Sequence, residues 1–184
     1  GKINTNWKFL IENFIEPYHV QFVHKTTTNQ PLKDHYTIVD GICYGSGVDV
    51  NEEDNKNSNA LSVTSRYLSL FPNFIIGSYF PNQIGVYLNV PISPSETTQK
   101  RIIYTTDGKN MSKQESNIVK KIWWNVHKED HEMCERLQEG RSSPASTQGG
   151  LLSPHWEKGV QAFQKLIIES TMKRSSNMKG KKNV

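Results

Sequence analysis

The segment NWKFLIENFIEPYHVQFVH, residues 6–24, starts with the pattern of an amphipathic helix and then contains a residue that interrupts one. Its apolar side chains recur at the three- and four-residue spacing of a helix. They are Trp7, Leu10, Ile11, Phe14 and Ile15. Pro17 has no backbone N–H, and its ring clashes with the carbonyl four residues earlier, at Asn13. We therefore predict that residues 6–24 are mostly helical and that the helix ends, bulges or unwinds near Pro17.

Two histidines, His19 and His24, lie five residues apart in this apolar segment. On a regular helix five residues turn through about 500°, so the two rings would point roughly 140° apart. A break at Pro17 allows the rings to converge. A single histidine in such a place is usually a core residue with a hydrogen-bond partner, but neutral imidazole is also the commonest ligand of transition metals. The pair is therefore a candidate for two arms of a metal site.

A third ligand is expected on a second helix, predicted for residues 112–139. Asp130 is surrounded there, at helical spacing, by apolar residues. They are Trp123, Val126, Met133, Cys134 and Leu137. Because an unpaired carboxylate on a buried stripe costs several kcal/mol, Asp130 needs a cation, and either a metal or a Lys or Arg side chain would satisfy it. Two histidines and one carboxylate are the ligand set of many iron sites that react with oxygen.

Other ionisable residues leave alternatives open. Glu129 is expected on the shoulder of the buried stripe, and His127 and His131 could also bind a metal. His35 and His155 fall at the start of a strand and at the start of a helix. We expect these last two to be ordinary surface or capping residues.

The middle of the chain consists of segments rich in β-branched and aromatic residues. After a loop at 25–33, these segments are 35–50, 60–70, 74–80, 84–93 and 99–108. Short turn clusters between them predict antiparallel neighbours. With the helices before and after, this order predicts an α+β domain whose antiparallel sheet packs against helices on one side.

A last helix is predicted to begin near residue 153. Ser153 suits an N-cap, Pro154 suits the first helical position, and the pattern continues to Met172. The core face of this helix is expected to consist of Trp156, Val160, Phe163, Leu166 and Ile167.

The formal charge of +4 is concentrated at the end of the chain. Residues 173–184 contain five Lys or Arg and no acid, and the rest is close to neutral. We therefore expect one domain at 1–172, a basic, disordered tail at 173–184, and no nucleic-acid partner.

The two cysteines, Cys43 and Cys134, are far apart and form no C-x-x-C motif. They predict neither a disulfide framework nor a thiolate metal site, so a reducing, cytoplasmic location is expected. No apolar run approaches the roughly 18 residues of a membrane span, so no membrane association is expected.

Residues 6–24 resemble a long signature, N-W-K-x-x-x-E-N-x-x-(D/E)-x-Y-H-x-x-x-x-H. It is typical of the catalytic domain of Rieske non-haem iron oxygenases. These are the alpha subunits of aromatic-ring-hydroxylating dioxygenases and related monooxygenases, including choline- and carnitine-oxygenase-like branches. Residues 70–108 resemble the strand region of that domain, and residues 129–167 resemble its C-terminal half.

The resemblance implies a helix-grip (SRPBCC-type) fold, in which an antiparallel sheet packs against a long C-terminal helix. It implies that His19, His24 and Asp130 bind a mononuclear Fe(II). Glu16 takes the position of the acid that connects an iron histidine to a cluster histidine of a neighbouring subunit, where it would relay electrons and orient the ring.

Two further residues match the family near the iron. Asn13 matches an asparagine beside the metal. Tyr18 precedes the first ligand, where we expect packing with a hydrogen-bonded hydroxyl.

The implied function is that of a terminal oxygenase component. It would activate O₂ at Fe(II) and hydroxylate or oxidatively demethylate a small organic substrate, expected to be aromatic. Electrons would come from NAD(P)H through a reductase or ferredoxin and a [2Fe–2S] cluster, in a homotrimer or an α3β3 assembly. That cluster needs paired Cys and His motifs, which these 184 residues lack. We therefore expect the N-terminal Rieske domain to lie upstream in a longer subunit or on another chain.

Two other classes of protein remain as alternatives. A metal-free helix-grip module that binds an apolar ligand would tolerate substitution of His19, His24 and Asp130. A zinc-dependent hydrolase would use the same three ligands and would need a general base, for which Glu16 or Glu129 is available.

Overall fold

The structure, a computed structural model, describes residues 1–28, 30–50, 64–79, 82–108 and 110–180. In this part of the chain the strands are β1 (Lys2–Ile3), β2 (His35–Asp40), β3 (Cys43–Val48), β4 (Ser65–Leu70), β5 (Phe74–Tyr79), β6 (Gln83–Ser93) and β7 (Glu96–Thr105). The α-helices are α1 (Trp7–Ile15), α2 (Val20–Val23), α3 (Lys113–Arg141) and α4 (Lys158–Gly180). Predicted strand residues 60–63 and 80 lie outside the described residues.

The seven strands form one antiparallel sheet in the order β1-β7-β6-β5-β4-β3-β2. Every pairing from β2 to β7 joins strands that are consecutive in the sequence, so β2–β7 form a meander. β1 lies beside β7 at the far edge. The predicted α+β class and antiparallel sheet are confirmed.

The segment 35–50, predicted as one strand, is a hairpin instead. β2 and β3 are joined through Gly41 and Ile42, and Asp40 pairs with Cys43. Gly41 has a φ of 56°, a left-handed conformation that glycine adopts without the steric cost of a side chain. The turn residue, rather than the apolar pattern, decides the strand boundary here.

The main core lies between the sheet and the helices α1 and α4. It contains Ile11 and Ile15 of α1, Tyr44, Ile75 and Tyr87 of the sheet, and Val160 and Phe163 of α4. Leu166 and Ile167 pack against the same cluster. Since α4 packs on β2 and β3, the predicted arrangement of a sheet against a long C-terminal helix is confirmed.

The predicted bounds of α4 are wrong at both ends. The Ser153 hydroxyl does accept hydrogen bonds from the backbone N–H groups of His155 and Trp156. However, residues 154–156 form a turn and the helix begins at Lys158. Trp156 therefore precedes the helix. At the other end α4 continues beyond Met172 to Gly180, into the segment expected to be a disordered tail. Residues 181–184 lie outside the described part.

α3 begins with a capping box in which the hydroxyl of Ser112 and the carboxylate of Glu115 bond each other's backbone N–H. Trp123 and Val126 pack against Tyr79 of β5, and about two turns beyond Val126, Cys134 packs against Leu10 of α1. The face that carries Asp130 lies between these two contacts. Leu137, predicted on the same stripe, is exposed.

In the described residues, none of the helices combines the length and the apolar character that crossing a membrane requires.

Candidate metal centre

The chain between α1 and α2 is folded so that two imidazoles meet. α1 ends at Ile15, and Glu16 adopts an extended backbone one residue before Pro17. His19 then occupies the position just before the short α2, and His24 occupies the position just after it. As predicted, the helix ends just before the first histidine. The ring centroids of His19 and His24 are 5.3 Å apart, at 74° to each other.

Asp130 completes a group of three possible ligands. Its Oδ1 lies 3.5 Å from His19 Nε2 and 3.1 Å from His24 Nε2. One ligand atom from each of the three residues lies within 4.8 Å of the other two. Donor atoms at right angles around a metal, each about 2.1 Å from it, are about 3 Å apart. The geometry therefore fits a single ion bound from one side.

Glu16 orients His19. Its Oε1 lies 2.6 Å from His19 Nδ1, and its Oε2 accepts a hydrogen bond from the His19 backbone N–H at 3.1 Å. Both side chains are 13% exposed. A carboxylate on Nδ1 favours the tautomer whose Nε2 lone pair is free to bind a metal.

Glu129 does the same for His24, which the sequence analysis did not foresee. Its Oε2 lies 2.7 Å from His24 Nδ1 and also accepts a 2.6 Å hydrogen bond from the Thr27 hydroxyl. Its placement on the shoulder of the buried stripe is confirmed by its 28% exposure. The available sequence signal was the acidic pair at 129 and 130, since neighbouring positions on α3 reach the two sides of the same site.

Asn13 and Tyr18 have different environments. The Asn13 side chain is buried and donates a hydrogen bond of 2.9 Å to Asp130 Oδ1. Tyr18 is 48% exposed, and its ring lies 5.8 Å from that of the exposed Phe22. Asn13 thus touches the group of possible ligands, whereas Tyr18 lies on the outer surface of the same segment.

The three possible ligands have shifted pKa values in the metal-free protein. Burial alone would lower the pKa of His19, but the charge of Glu16 and the hydrogen bonds to Asp130 and Glu16 raise it to about 10. Burial is likewise outweighed at His24, where Asp130 raises the pKa. Burial would raise the pKa of Asp130, but the two imidazoles hold it well below its usual range. The group therefore stabilises positive charge, supplied by protons or by a metal.

The other histidines do not join this group in the described residues. His127 is buried, with Nδ1 3.7 Å from Asp130 Oδ2. The side chain of His131 lies 2.7 Å from the guanidinium of Arg101. His155 is exposed, as expected. His35 is 5% exposed, so its assignment to the surface was wrong. Although it begins the edge strand β2, its ring lies against the backbone of Gln30.

A cavity adjoins the three residues. Its apolar wall is formed mainly by Phe14, Val20, Tyr67, Tyr79, Trp123 and Val126. Trp123 is fixed by a 2.8 Å hydrogen bond from its indole N–H to Gln83 Oε1. In the described part of the chain no Lys or Arg lines this cavity, while Glu16 and Asp130 do. The cavity therefore suits apolar or positively charged molecules better than anions.

Residues 2–171 match the family model of the ring-hydroxylating alpha subunit, catalytic domain. The chain belongs to this family. The family resemblance of residues 6–24 is thereby confirmed over nearly the whole domain.

Curated relatives match over only part of their length. The chain is 29% identical over 162 residues to the chloroplastic choline monooxygenase of Atriplex hortensis, which covers 88% of this chain and 36% of that protein. It is 28% identical over 174 residues to the chloroplastic choline monooxygenase of Beta vulgaris, and this match covers 91% of this chain and 38% of that protein. The chain thus spans little more than a third of the length of these relatives.

Solved structures share the fold. A quaternary ammonium Rieske monooxygenase, CntA, in complex with an inhibitor superposes with a TM-score of 0.71 at 17% identity, covering 92% of this chain and 47% of that one. Dicamba monooxygenase bound to 3,6-dichlorosalicylic acid superposes with a TM-score of 0.67 at 14% identity. The match covers 95% of this chain and 58% of that one. These likenesses establish the helix-grip arrangement of sheet and helices for this chain.

Proposed function

We propose that this chain is the catalytic domain of an oxygenase in which His19, His24 and Asp130 hold a mononuclear Fe(II). The observation that carries the proposal is the convergence of three donor atoms from α2 and α3 within 4.8 Å. Two imidazoles and one carboxylate suit ferrous iron and leave coordination positions open. When bound there, iron would supply the activation of O₂ for hydroxylation or oxidative demethylation of a small organic substrate.

The surrounding residues hold the ligands in position. Glu16 and Glu129 each accept the Nδ1 proton of one histidine. A metal that displaces the Nε2 protons would therefore find both Nε2 lone pairs next to Asp130. Asn13 donates to Asp130 Oδ1 and limits the rotation of that carboxylate. Such outer contacts typically account for about 10- to 100-fold in metal affinity.

Electrons are proposed to reach His19 through Glu16, from a [2Fe–2S] cluster that lies outside these 184 residues and is reduced by NAD(P)H through a reductase. Tyr18 and Phe22 beside Glu16 are 48% and 55% exposed, so this segment is open to an approaching domain. A solved quaternary ammonium Rieske monooxygenase with the same fold is described with inter-subunit electron transfer. This supports an assembly of more than one subunit, for which we propose a homotrimer or an α3β3 complex.

For the substrate, we propose a quaternary ammonium compound in preference to the aromatic compound that the family resemblance implies. The aromatic wall of the cavity attracts a methylated ammonium group by cation–π interactions, and in the described residues no Lys or Arg lines the cavity to repel it. The curated relatives are named choline monooxygenases, which supports the same chemistry.

The two general bases considered for the zinc-hydrolase alternative, Glu16 and Glu129, are both engaged in this arrangement. Glu16 lies 2.6 Å from His19 Nδ1 and Glu129 lies 2.7 Å from His24 Nδ1. Each carboxylate is thus engaged with a histidine rather than directed at a metal-bound water. This engagement favours the oxygenase.

Anaerobic reconstitution with Fe(II) tests the proposal. The protein is expected to hold one iron per chain, and His19→Ala is expected to abolish stoichiometric binding because only two donors remain. His155→Ala, on the exposed segment before α4, is the matched control and should bind as the wild type does. Failure of the wild type to hold iron, or unchanged binding by His19→Ala, would show that the assignment is wrong. Preferential zinc loading with oxygen-independent hydrolysis would support the hydrolase.

A further inference from the structure

His127 lines the cavity beside the three possible ligands without belonging to them. It is on α3, one turn before Asp130, and is 7% exposed. Its ring lies 5.9 Å from that of Trp123, nearly parallel to it, and 5.3 Å from that of Tyr87, edge to face. These two aromatic neighbours fix the plane of the imidazole.

One nitrogen of this ring has no hydrogen-bond partner. His127 Nε2 is buried and meets no donor or acceptor in the part of the chain that the structure describes. A second buried polar atom on the same cavity, the hydroxyl of Ser46 on β3, is in the same situation. Buried polar atoms are nearly always paired in folded proteins, because an unpaired one costs about 1–3 kcal/mol. Because both residues line one cavity, a polar molecule bound there would satisfy both atoms.

We propose that His127 Nε2 binds a hydroxyl group of the substrate, with the Ser46 hydroxyl as a second polar contact at the cavity wall. A hydroxyl both donates and accepts, so it matches either tautomer of the imidazole. The rest of the substrate would lie against the aromatic wall. This inference rests on the proposed function and narrows the substrate class to quaternary ammonium compounds that carry a hydroxyl.

The assignment separates two tasks among neighbouring residues of α3. Asp130 and Glu129 act on the metal side, through His19 and His24. His127, one turn earlier, acts on the substrate side and sets which molecule fits. Its removal should therefore change ligand preference without changing iron content.

The test compares two probes that differ by one hydroxyl, choline and ethyltrimethylammonium, by anaerobic calorimetry on the chain after treatment with Fe(II), whatever iron it retains. A site that hydrogen-bonds the hydroxyl should bind choline about tenfold more tightly, a ratio that corresponds to about 1.4 kcal/mol and is typical of one hydrogen bond. In His127→Phe, which keeps a planar ring, the ratio should fall to about one. In His127→Gln, which keeps a hydrogen-bonding group, part of the preference should return.

Stability provides a second measurement that does not depend on activity. Because His127→Phe removes an unpaired buried nitrogen, its melting temperature without ligand should equal or exceed that of the wild type. His155→Phe, at an exposed histidine, serves as the control and should change neither the probe ratio nor the iron content. A probe ratio that stays the same in His127→Phe and His127→Gln overturns the inference, and indicates an ordinary buried water at Nε2. Binding of neither probe by the Fe(II)-treated wild type also overturns it.

Iron content measured on the same samples distinguishes the two hypotheses. A wild-type chain that holds no iron but prefers choline through His127 would contradict the proposed function and support this inference. A chain that holds iron but does not prefer choline would support the proposed function and contradict this inference.

Discussion

Each histidine of the candidate centre has a carboxylate of its own on Nδ1. Glu16 serves His19 from the same chain segment, three residues away, whereas Glu129 serves His24 from a different helix. Glu129 also holds the hydroxyl of Thr27. It therefore ties the end of α2 to α3 and fixes the ring that lies 3.1 Å from Asp130.

Glu129→Ala should weaken iron binding without unfolding the protein. The substitution leaves His24 Nδ1 without its carboxylate, so the ring can rotate and the neutral tautomer with a free Nε2 is no longer favoured. We expect the iron dissociation constant to rise about 10- to 100-fold, measured by competition with a chelator. Glu132→Ala is the matched control, because Glu132 is an exposed residue on the same helix, 3.8 Å from Lys128. Equal affinity in both variants would contradict the role of Glu129.

His35 makes the stability of the domain depend on pH. Burial lowers the pKa of His35 to about 4, from 6.5 in the unfolded chain. Between these values the unfolded chain binds a proton that the folded chain does not, so stability falls as the pH falls through this range. His35→Gln cannot bind that proton. Between pH 7 and pH 5, its free energy of unfolding should therefore fall by about 1–2 kcal/mol less than that of the wild type.

Chemical denaturation of both proteins at the two pH values checks this difference. Groups that titrate in both proteins contribute equally to the change of unfolding free energy with pH, so they cancel when the two changes are compared. His155→Gln, at an exposed position, should follow the wild type. If the unfolding free energy of wild type and of His35→Gln changed equally with pH, His35 would keep an ordinary pKa.

At the scale of residues, the environment of a side chain can be predicted from the sequence where it follows from helical periodicity. It cannot be predicted where an element distant in the sequence buries the side chain. The apolar stripe around Asp130 is visible on α3 alone. The contact between His24 and Glu129 joins residues 105 positions apart, and no local pattern encodes it. The burial of His35 likewise depends on how β2 enters the sheet.

At the scale of elements, the local chemistry of proline, glycine and serine decides the boundaries. Pro17 ends α1 as predicted, and the two histidines occupy the caps of α2. Gly41 divides a segment that the apolar pattern joins. The start of α4 was misplaced because Ser153 caps a turn instead of the helix itself. Caps and turns compete for the same side-chain hydrogen bonds, so pattern alone does not distinguish them.

Gly45 should not tolerate a side chain, although its backbone angles are ordinary. A Cβ at this position of β3 would overlap the backbone carbonyl of Tyr67 on β4, which can move only by separating the strands. We expect Gly45→Ala to destabilise the domain by about 3 kcal/mol or more, measured by denaturant titration. Gly159→Ala, where α4 crosses Gly45, would place its Cβ 3.5 Å from the Gly45 nitrogen. That is an ordinary van der Waals contact, so the free energy of unfolding of this control should stay within about 1 kcal/mol of the wild-type value.

At the scale of the whole molecule, the fold brings the three candidate metal ligands together, whereas the proposed reaction needs electrons from a cluster for which these residues provide no ligand motif. Cys43 and Cys134 are free, and the sequence contains no paired Cys and His motifs for an iron–sulfur cluster. The family and the fold could be predicted from the sequence because one long motif carries both. The proposed electron donor could not be identified, because it would be recognised through surface contacts that no motif in these residues marks.

Glu16 should therefore separate iron binding from turnover. Glu16→Gln keeps an oxygen that accepts the Nδ1 proton of His19, so iron should remain stoichiometric. It removes the charge that we propose connects His19 to the cluster, so turnover with NAD(P)H, a reductase and a cluster-bearing partner should fall at least about 100-fold. The same iron-loaded variant, reduced chemically instead, should convert substrate in a single turnover at close to the wild-type yield. If chemical reduction shows the same loss, Glu16 acts on the chemistry at the metal rather than on electron delivery, and its proposed role as a relay is wrong.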